Sequence, residues 1–460
     1  MSPSPGISRA GSPSAIQTDI PGRLDRLPWT RFHWLLVIAL GVTWVLDGLE
    51  ATVVAAVSPV LQKIAEHGPA AASGVSGPVI GRLSHFGLHA SQLGLAGTLY
   101  LAGCIGGALL FGHLTDRLGR KRLFTVTLAL YLAGAVLTAF AWNFWSFLLF
   151  RCLTGMAIGG EYSAINSAID ELIPARVRGR VDLTINGTYW LGAIFGAGVT
   201  ILLLGGQLLP EWVGWRVCFG LGGLIGGLMI LVRHYVPESP RWLLTHGRQE
   251  EAEQTMRAIE THVSDLTRLP PVDKKITVYP GRHIGFGTIV HTMLVRYRSR
   301  AILGLVLIAS QAFFYNGISF TYPLVLSQDF HVPDNRIGIY IIVMAVANFL
   351  GPLLLGHWFD TIGRRKMISF TYAFSGVVII GAQPLFLGNL LNATTQTMLW
   401  AFTFFFASAA ASAGYLTVSE IFPLEIRALA IALFYAVGTA LGGLGAPALF
   451  GALIESQQRS

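Results

Sequence analysis

The stretch Gly112-His113-Leu114-Thr115-Asp116-Arg117-Leu118-Gly119-Arg120-Lys121-Arg122 returns in altered form as Gly356-His357-Trp358-Phe359-Asp360-Thr361-Ile362-Gly363-Arg364-Arg365-Lys366. A second motif follows each copy at a similar distance. Glu171-Leu172-Ile173-Pro174 with Arg178 is echoed by Glu420-Ile421-Phe422-Pro423 with Arg427. Two different motifs recurring in one order at one long period mark a chain of two related halves.

Between the charged motifs the chain is apolar. Of 460 residues, 53% are hydrophobic and 12% are charged. A soluble globular protein carries about a quarter charged residues, so half that share leaves too little polar surface to coat a soluble body. The net charge of +8 does not point to nucleic acid, because the basic residues form short clusters between apolar runs. Membrane topology produces that pattern.

Apolar runs long enough to span a bilayer as helices fall near 33–56, 92–112, 123–142, 144–168, 184–206 and 214–235. Five more fall near 301–321, 337–357, 367–388, 396–418 and 427–452. Lys and Arg collect on one side: Arg23, Arg26, Arg31, the two motif loops, Arg176 to Arg180, the 236–300 connection and Arg427. The other side holds little beyond Lys63, Arg82, Arg216 and Arg336. The positive-inside rule then makes the amino terminus cytoplasmic and the protein a multi-pass component of the cell (inner) membrane.

The expected organisation has four parts. Residues 1–30, rich in Ser, Pro and Gly, read as a disordered cytoplasmic tail. Residues 31–235 form an amino-terminal bundle, and 236–300 a cytoplasmic loop with amphipathic helix. In that loop Ser239 caps a helix with Pro240 at its first position, and Glu253 and Arg257 pair four residues apart. Residues 301–460 form a carboxyl-terminal bundle that reads as incomplete: eleven spans are visible where two equal halves want twelve. Cys104, Cys152 and Cys218 lie in apolar spans with no metal or disulfide spacing.

The repeated loops resemble the signature of the major facilitator superfamily. Arg151 with Gly155, Gly159 and Gly160, then Glu171, Pro174 and Arg178, resembles the fourth span of its sugar-porter-like branch, and Gly160-Glu161 resembles its metabolite:proton symporters. Pro237-Glu238-Ser239-Pro240-Arg241-Trp242 and the Glu420, Pro423, Arg427 set are similar to that branch's further motifs. The resemblance covers roughly 33 to 452. It implies an all-α membrane protein with the major facilitator fold, two six-helix bundles related by pseudo-repeat. The Gln-Gln pair of sugar porters is absent from the seventh span, which reads Gln311-Ala312-Phe313-Phe314-Tyr315-Asn316-Gly317.

Asp47 and Glu50 lie within the first span on one helix face. A carboxylate at mid-bilayer costs about 2.5–3.5 kcal/mol even on insertion scales, so it needs a partner or a cavity. Asp47 sits about nine residues from the outer end of its span and Arg151 about seven from the outer end of the fourth, so at about 1.5 Å per residue the two meet. This pair reads as a proton switch, or as a static lock between helices. The shift that carries Glu171 onto Glu420 carries Arg151 onto Trp400, so the arginine is specific to the first half. Glu161, deeper on the fourth span, is a second candidate proton site.

Gln311, Tyr315, Asn316 and Ser319 form a polar stripe on the seventh span, suited to replacing the water of a polar solute or to bonding neighbouring helices. Asn186 and Trp190 on the fifth span join them as candidates. The resemblance makes the loop motifs an inner gate of Asp116, Arg120, Glu171, Arg178, Asp360, Arg364, Glu420 and Arg427: the aspartates sit near helix amino termini and their neighbouring basic residues pair with Glu171 and Glu420, though the charges alone also suit plain topology anchoring. No phosphate-binding glycine loop, metal cluster or nucleophile–base set is present, so neither cofactor nor enzyme activity is expected.

The expected function is secondary active transport of a small polar metabolite, an organic acid or a monosaccharide, proton-coupled, by a monomer in a lipid bilayer without nucleic acid. The other class in view is a transporter-like receptor that binds a solute without moving it.

Overall fold

A computed structural model describes residues 16–67, 86–204, 208–233, 236–263, 269–272, 275–278, 286–332, 334–422 and 427–443. A short strand β1 (Ile16–Thr18) and helix α1 (Ile20–Arg26) precede the long helices α2 (Arg31–His67), α3 (Ala90–Leu118), α4 (Arg120–Ala139), α5 (Phe144–Leu172), α6 (Arg178–Leu204) and α7 (Glu211–Arg233). The connection holds α8 (Pro240–Thr245), α9 (Gln249–Glu260), β2 (Ile276–Val278) and α10 (Phe286–Val295). The second half runs through α11 (Arg298–Gln328), α12 (Asp334–Thr361), α13 (Arg364–Leu387), α14 (Ala393–Ile421) and α15 (Arg427–Gly438), closed by a π turn over Thr439–Gly443.

Among the described residues eight helices are long and apolar enough to cross a membrane: α2, α3, α4, α6, α11, α12, α13 and α14. The α5 helix holds Arg151, Glu161, Asp170 and Glu171 in its length. The two halves meet where α6 packs on α12 and where α15 packs on α3.

The repeat is visible in helix ends. Asn143 caps α5, its Oδ1 accepting from Ser146 N–H at 2.8 Å while Ser146 Oγ accepts from Asn143 N–H at 3.1 Å. Asn392 and Thr395 cap α14 the same way, both bonds at 2.9 Å. Reciprocal caps of this kind satisfy donors that a helix start leaves without partners. Each motif loop turns on a glycine of positive φ, Gly119 at 90° and Gly363 at 105°, a conformation that side chains resist.

Close helix approach in the first bundle comes from glycine. A Cβ on Gly155 or Gly159 of α5 would lie 2.2 Å from Tyr100 O or 2.0 Å from Cys104 O of α3. Bare backbone at these points lets the two helices touch. In the second bundle, the face of α13 around Tyr372, Ser375 and Ile379 borders an open groove of about 690 Å³ shared with α11 and the π turn. The equivalent helix of the first half, α4, is covered there by α7.

The tail reading of residues 1–30 needs correction from Ile16 onward. β1 pairs antiparallel with β2, Ile16 opposite Val278. Arg23 on α1 reaches two acids of α9, its Nη1 2.8 Å from Glu253 Oε1 and its Nη2 2.6 Å from Glu260 Oε2. Composition conceals this order, because the segment is held by ion pairs to a helix more than two hundred residues away. Two contacts read from the connection are present. Ser239 Oγ caps α8 at Trp242 N–H, 3.2 Å, with Pro240 in the first turn, and Arg257 meets Glu253 at 3.3 Å.

Candidate functional site

The centre of the first bundle is polar and closed to solvent. Arg151 donates from Nη1 to Glu50 Oε1, with side-chain exposures of 2% and 1%. The guanidinium also lies 4.6 Å from the centre of the Tyr100 ring, where the π face attracts a cation. This corrects the Asp47–Arg151 pairing. Glu50 stands one turn nearer the outer end of its span than Asp47 and so matches the depth of Arg151 more closely.

Asp47 is held instead by two phenols. Tyr162 donates to its Oδ2 at 2.5 Å and Tyr100 to its Oδ1 at 3.3 Å. Among the described residues no cation stands within ion-pair distance of Asp47. A neutral donor stabilises a carboxylate less than a paired cation does, which sets Asp47 apart from Glu50 on the same helix. Glu161 accepts from Thr127 Oγ1 at 3.1 Å.

The solute candidates lie across the midline. Tyr315 packs at a tilt against Trp190, ring centres 5.8 Å and planes 39° apart, and so links α11 of the second half with α6 of the first. Its hydroxyl donates to Asn348 Oδ1 at 3.0 Å, a partner that the spacing did not reveal. Among the described residues the buried Gln311 Oε1 has no hydrogen-bond partner, whereas the Asn186 amide faces the Asp182 carboxyl one turn away on its own helix. Asn316 is satisfied by its own helix, donating to Ala312 O at 2.8 Å, which makes it the weakest of the stripe. The Ser319 side chain lies outside the described residues.

At the basic end the motif charges meet in repeated pairs. Arg120 donates to Glu171 at 2.7 Å, and Arg364 pairs with Glu420. Arg178 then reaches across to Glu420 at 3.8 Å. Asp360 Oδ2 accepts from Arg180 N–H at 2.8 Å, placing a carboxylate of the second half on the amino terminus of α6, where the helix dipole favours it. The Asp116 and Arg427 side chains lie outside the described residues. The sequence reading gave Glu238 as part of a motif without a role; it accepts from the N–H groups of Arg120 at 2.9 Å and Lys121 at 3.2 Å and so anchors the start of α4. The sequence reading missed Asp25, whose Oδ1 accepts from Ala175 N–H at 3.2 Å and lies 3.8 Å from Arg178.

Comparison with known proteins agrees with this architecture. The family described as "Sugar (and other) transporter" matches residues 34–450. The chain belongs to that family. Among its relatives are the niacin transporter of Acinetobacter baylyi, 27% identical over 93% of this chain and 89% of the relative, and a putative metabolite transport protein of Escherichia coli, 27% identical over 94% and 88%. The major facilitator superfamily proton:xylose symporter superposes with a TM-score of 0.70 at 19% identity, covering 92% of this chain and 89% of that one. The fold is the major facilitator fold, and the protein is a multi-pass membrane transporter of this family.

Proposed function

We propose that the protein carries a small ring-bearing polar metabolite, an organic acid or a monosaccharide, across the membrane by alternating access coupled to protons. Asp47 carries the proton, and Glu50 with Arg151 forms the fixed charge pair beside it. The observation that bears this reading is the contrast between the two carboxylates of α2. Glu50 is locked to a cation, whereas the buried Asp47 is held, among the described residues, by hydroxyl groups. An intramembrane acid with that freedom is suited to proton relay.

The second half, together with Trp190 of the first, supplies recognition. The flat faces of Trp190 and Tyr315 suit a ring, and Gln311 Oε1 suits a donor on the solute. The bonds that join Arg178 and Arg180 to Glu420 and Asp360 close the basic end, and they break when the bundles rock the other way. The names of relatives, a niacin transporter and a proton:xylose symporter, support these two substrate classes. By the charge asymmetry of the loops, the closed end is cytoplasmic.

The test is uptake of labelled nicotinate and of D-xylose into proteoliposomes under an imposed pH gradient. Wild type accumulates one of them, and Asp47→Asn equilibrates it without accumulation. Full accumulation by Asp47→Asn would remove Asp47 from the proton path. Binding of either solute by wild type without any uptake would favour a receptor.

A further inference from the structure

Tyr162 has two faces of business. Its hydroxyl donates to Asp47 at 2.5 Å. Its ring belongs to an aromatic cluster that crosses from one bundle to the other. It stacks on Tyr435 of α15 with centres 4.3 Å apart and planes 29° apart, and lies nearly parallel to Tyr415 of α14 at 6.2 Å and 14°. Trp44, on the helix that bears Asp47, packs edge-on against Tyr162 at 4.5 Å and reaches Tyr415 at 6.2 Å. Tyr415 and Tyr435 are both buried.

We infer that Tyr162 is the coupling residue that passes the protonation state of Asp47 to the contact between the two bundles. The inference rests on Asp47 being the proton carrier. The ionised carboxylate accepts the phenolic hydrogen and fixes the ring against Tyr435 and Tyr415, which holds the bundles together at mid-depth. A neutral acid is a weaker acceptor. The ring then gains freedom, and the aromatic clasp between the halves loosens. The second phenol on Asp47, Tyr100, is placed differently, since its ring faces Arg151 inside the first bundle.

The other groups that face Asp47 leave this route intact. They are Glu50 on its own helix, Cys104 on α3, Tyr131 on α4, Arg151 and Glu161 on α5, and Tyr189 on α6. Arg151 is bound to Glu50, and Glu161 is bonded by Thr127. Among these neighbours only Tyr162 combines a hydrogen bond to Asp47 with ring stacking on the second half.

The experiment needs no solute. Spin labels at Lys121→Cys and Lys366→Cys, exposed positions at the basic end of each half, report bundle separation by pulsed dipolar spectroscopy from pH 5.5 to 8.5. The background replaces the three native cysteines with alanine. Wild type is expected to shift between two distance populations with pH, and Asp47→Asn is expected to hold one population throughout. Tyr162→Phe keeps the ring and its packing but removes the hydroxyl, and it is expected to lose more than half of the pH-driven shift. Tyr435→Leu, which keeps the hydrogen bond and removes the stacking partner, is expected to do the same. Tyr100→Phe is expected to retain the shift.

A full wild-type response in Tyr162→Phe, with the response lost in Asp47→Asn, would overturn the coupling role and leave Asp47 in place. A full response in Asp47→Asn, or a wild-type population that pH does not move, would overturn both.

Discussion

Glu50 and Arg151 form an ion pair at the centre of the amino-terminal bundle, buried to within 2% of their side-chain surface. Removing one partner of such a pair leaves the other as an uncompensated buried charge, at a cost of about 3–5 kcal/mol. Glu50→Gln is therefore expected to lower the thermal midpoint in detergent markedly. The double change Glu50→Gln with Arg151→Met is expected to recover most of the loss, because no lone charge remains. Thermal unfolding of the four proteins in the cycle checks this, and a double variant as unstable as Glu50→Gln would contradict it.

The contact from Arg178 to Glu420 at 3.8 Å is one of the described bonds that join the halves at the basic end. A partly exposed ion contact is worth up to about 1 kcal/mol, roughly a fivefold change in population. Arg178→Ala is expected to raise the open fraction by about that factor. The readout is the modification rate of a cysteine placed at Ala413, fully buried beside Leu183 and Phe359. An unchanged rate would show that the contact does not gate.

Gly119 and Gly363 should not respond alike to alanine. Both hold a positive φ that costs a side chain about 1–3 kcal/mol. A Cβ at Gly119 also meets Glu238 Oε2 at 2.3 Å, whereas open space surrounds one at Gly363. Gly119→Ala is expected to be the more destabilising of the two by differential scanning fluorimetry, and to weaken the start of α4. Equal losses would mean that Glu238 moves aside freely.

Outside the membrane, the clasp between α1 and α9 gives a pH dependence of known sign. Partial burial works to raise the Glu253 carboxyl, but the hydrogen bond and charge of Arg23, then those of Arg257, outweigh it and hold the group below its ordinary range. A carboxylate with a depressed folded-state value contributes stability above the unfolded value of about 4.3 and loses it as pH falls through the folded value. Hydrogen exchange in Ile20–Arg26 is therefore expected to be slow near neutral pH and to quicken relative to α9 once pH drops below about 4. Arg23→Ala should abolish that difference.

Much of the fold was legible because membrane burial writes long apolar runs and because the halves repeat charged motifs. The pairs Arg120–Glu171 and Arg364–Glu420 follow from that repeat. The caps at Asn143 and Asn392 stand at the same spacing, yet a capping asparagine looks like any polar loop residue until its bonds are seen. Asp47 and Glu50 share a face, and the choice between them as the partner of Arg151 turned on one helical turn, finer than span ends can be placed from hydropathy. Tyr162, Tyr415 and Tyr435 read as ordinary apolar residues of their spans. Their meeting depends on how two bundles pack, and no local spacing records that. The clasp of Arg23 to Glu253 and Glu260 was hidden for the same reason.

Trp400 stands in the second half where Arg151 stands in the first, stacked near Tyr322 and Phe404. On the proposed mechanism the first bundle handles fuel, and the second, with Trp190 lent by the first, handles cargo. Exchanges among the aromatic and amide residues of α11 and α14 could then redirect such a carrier to a new solute while its energy source stayed untouched.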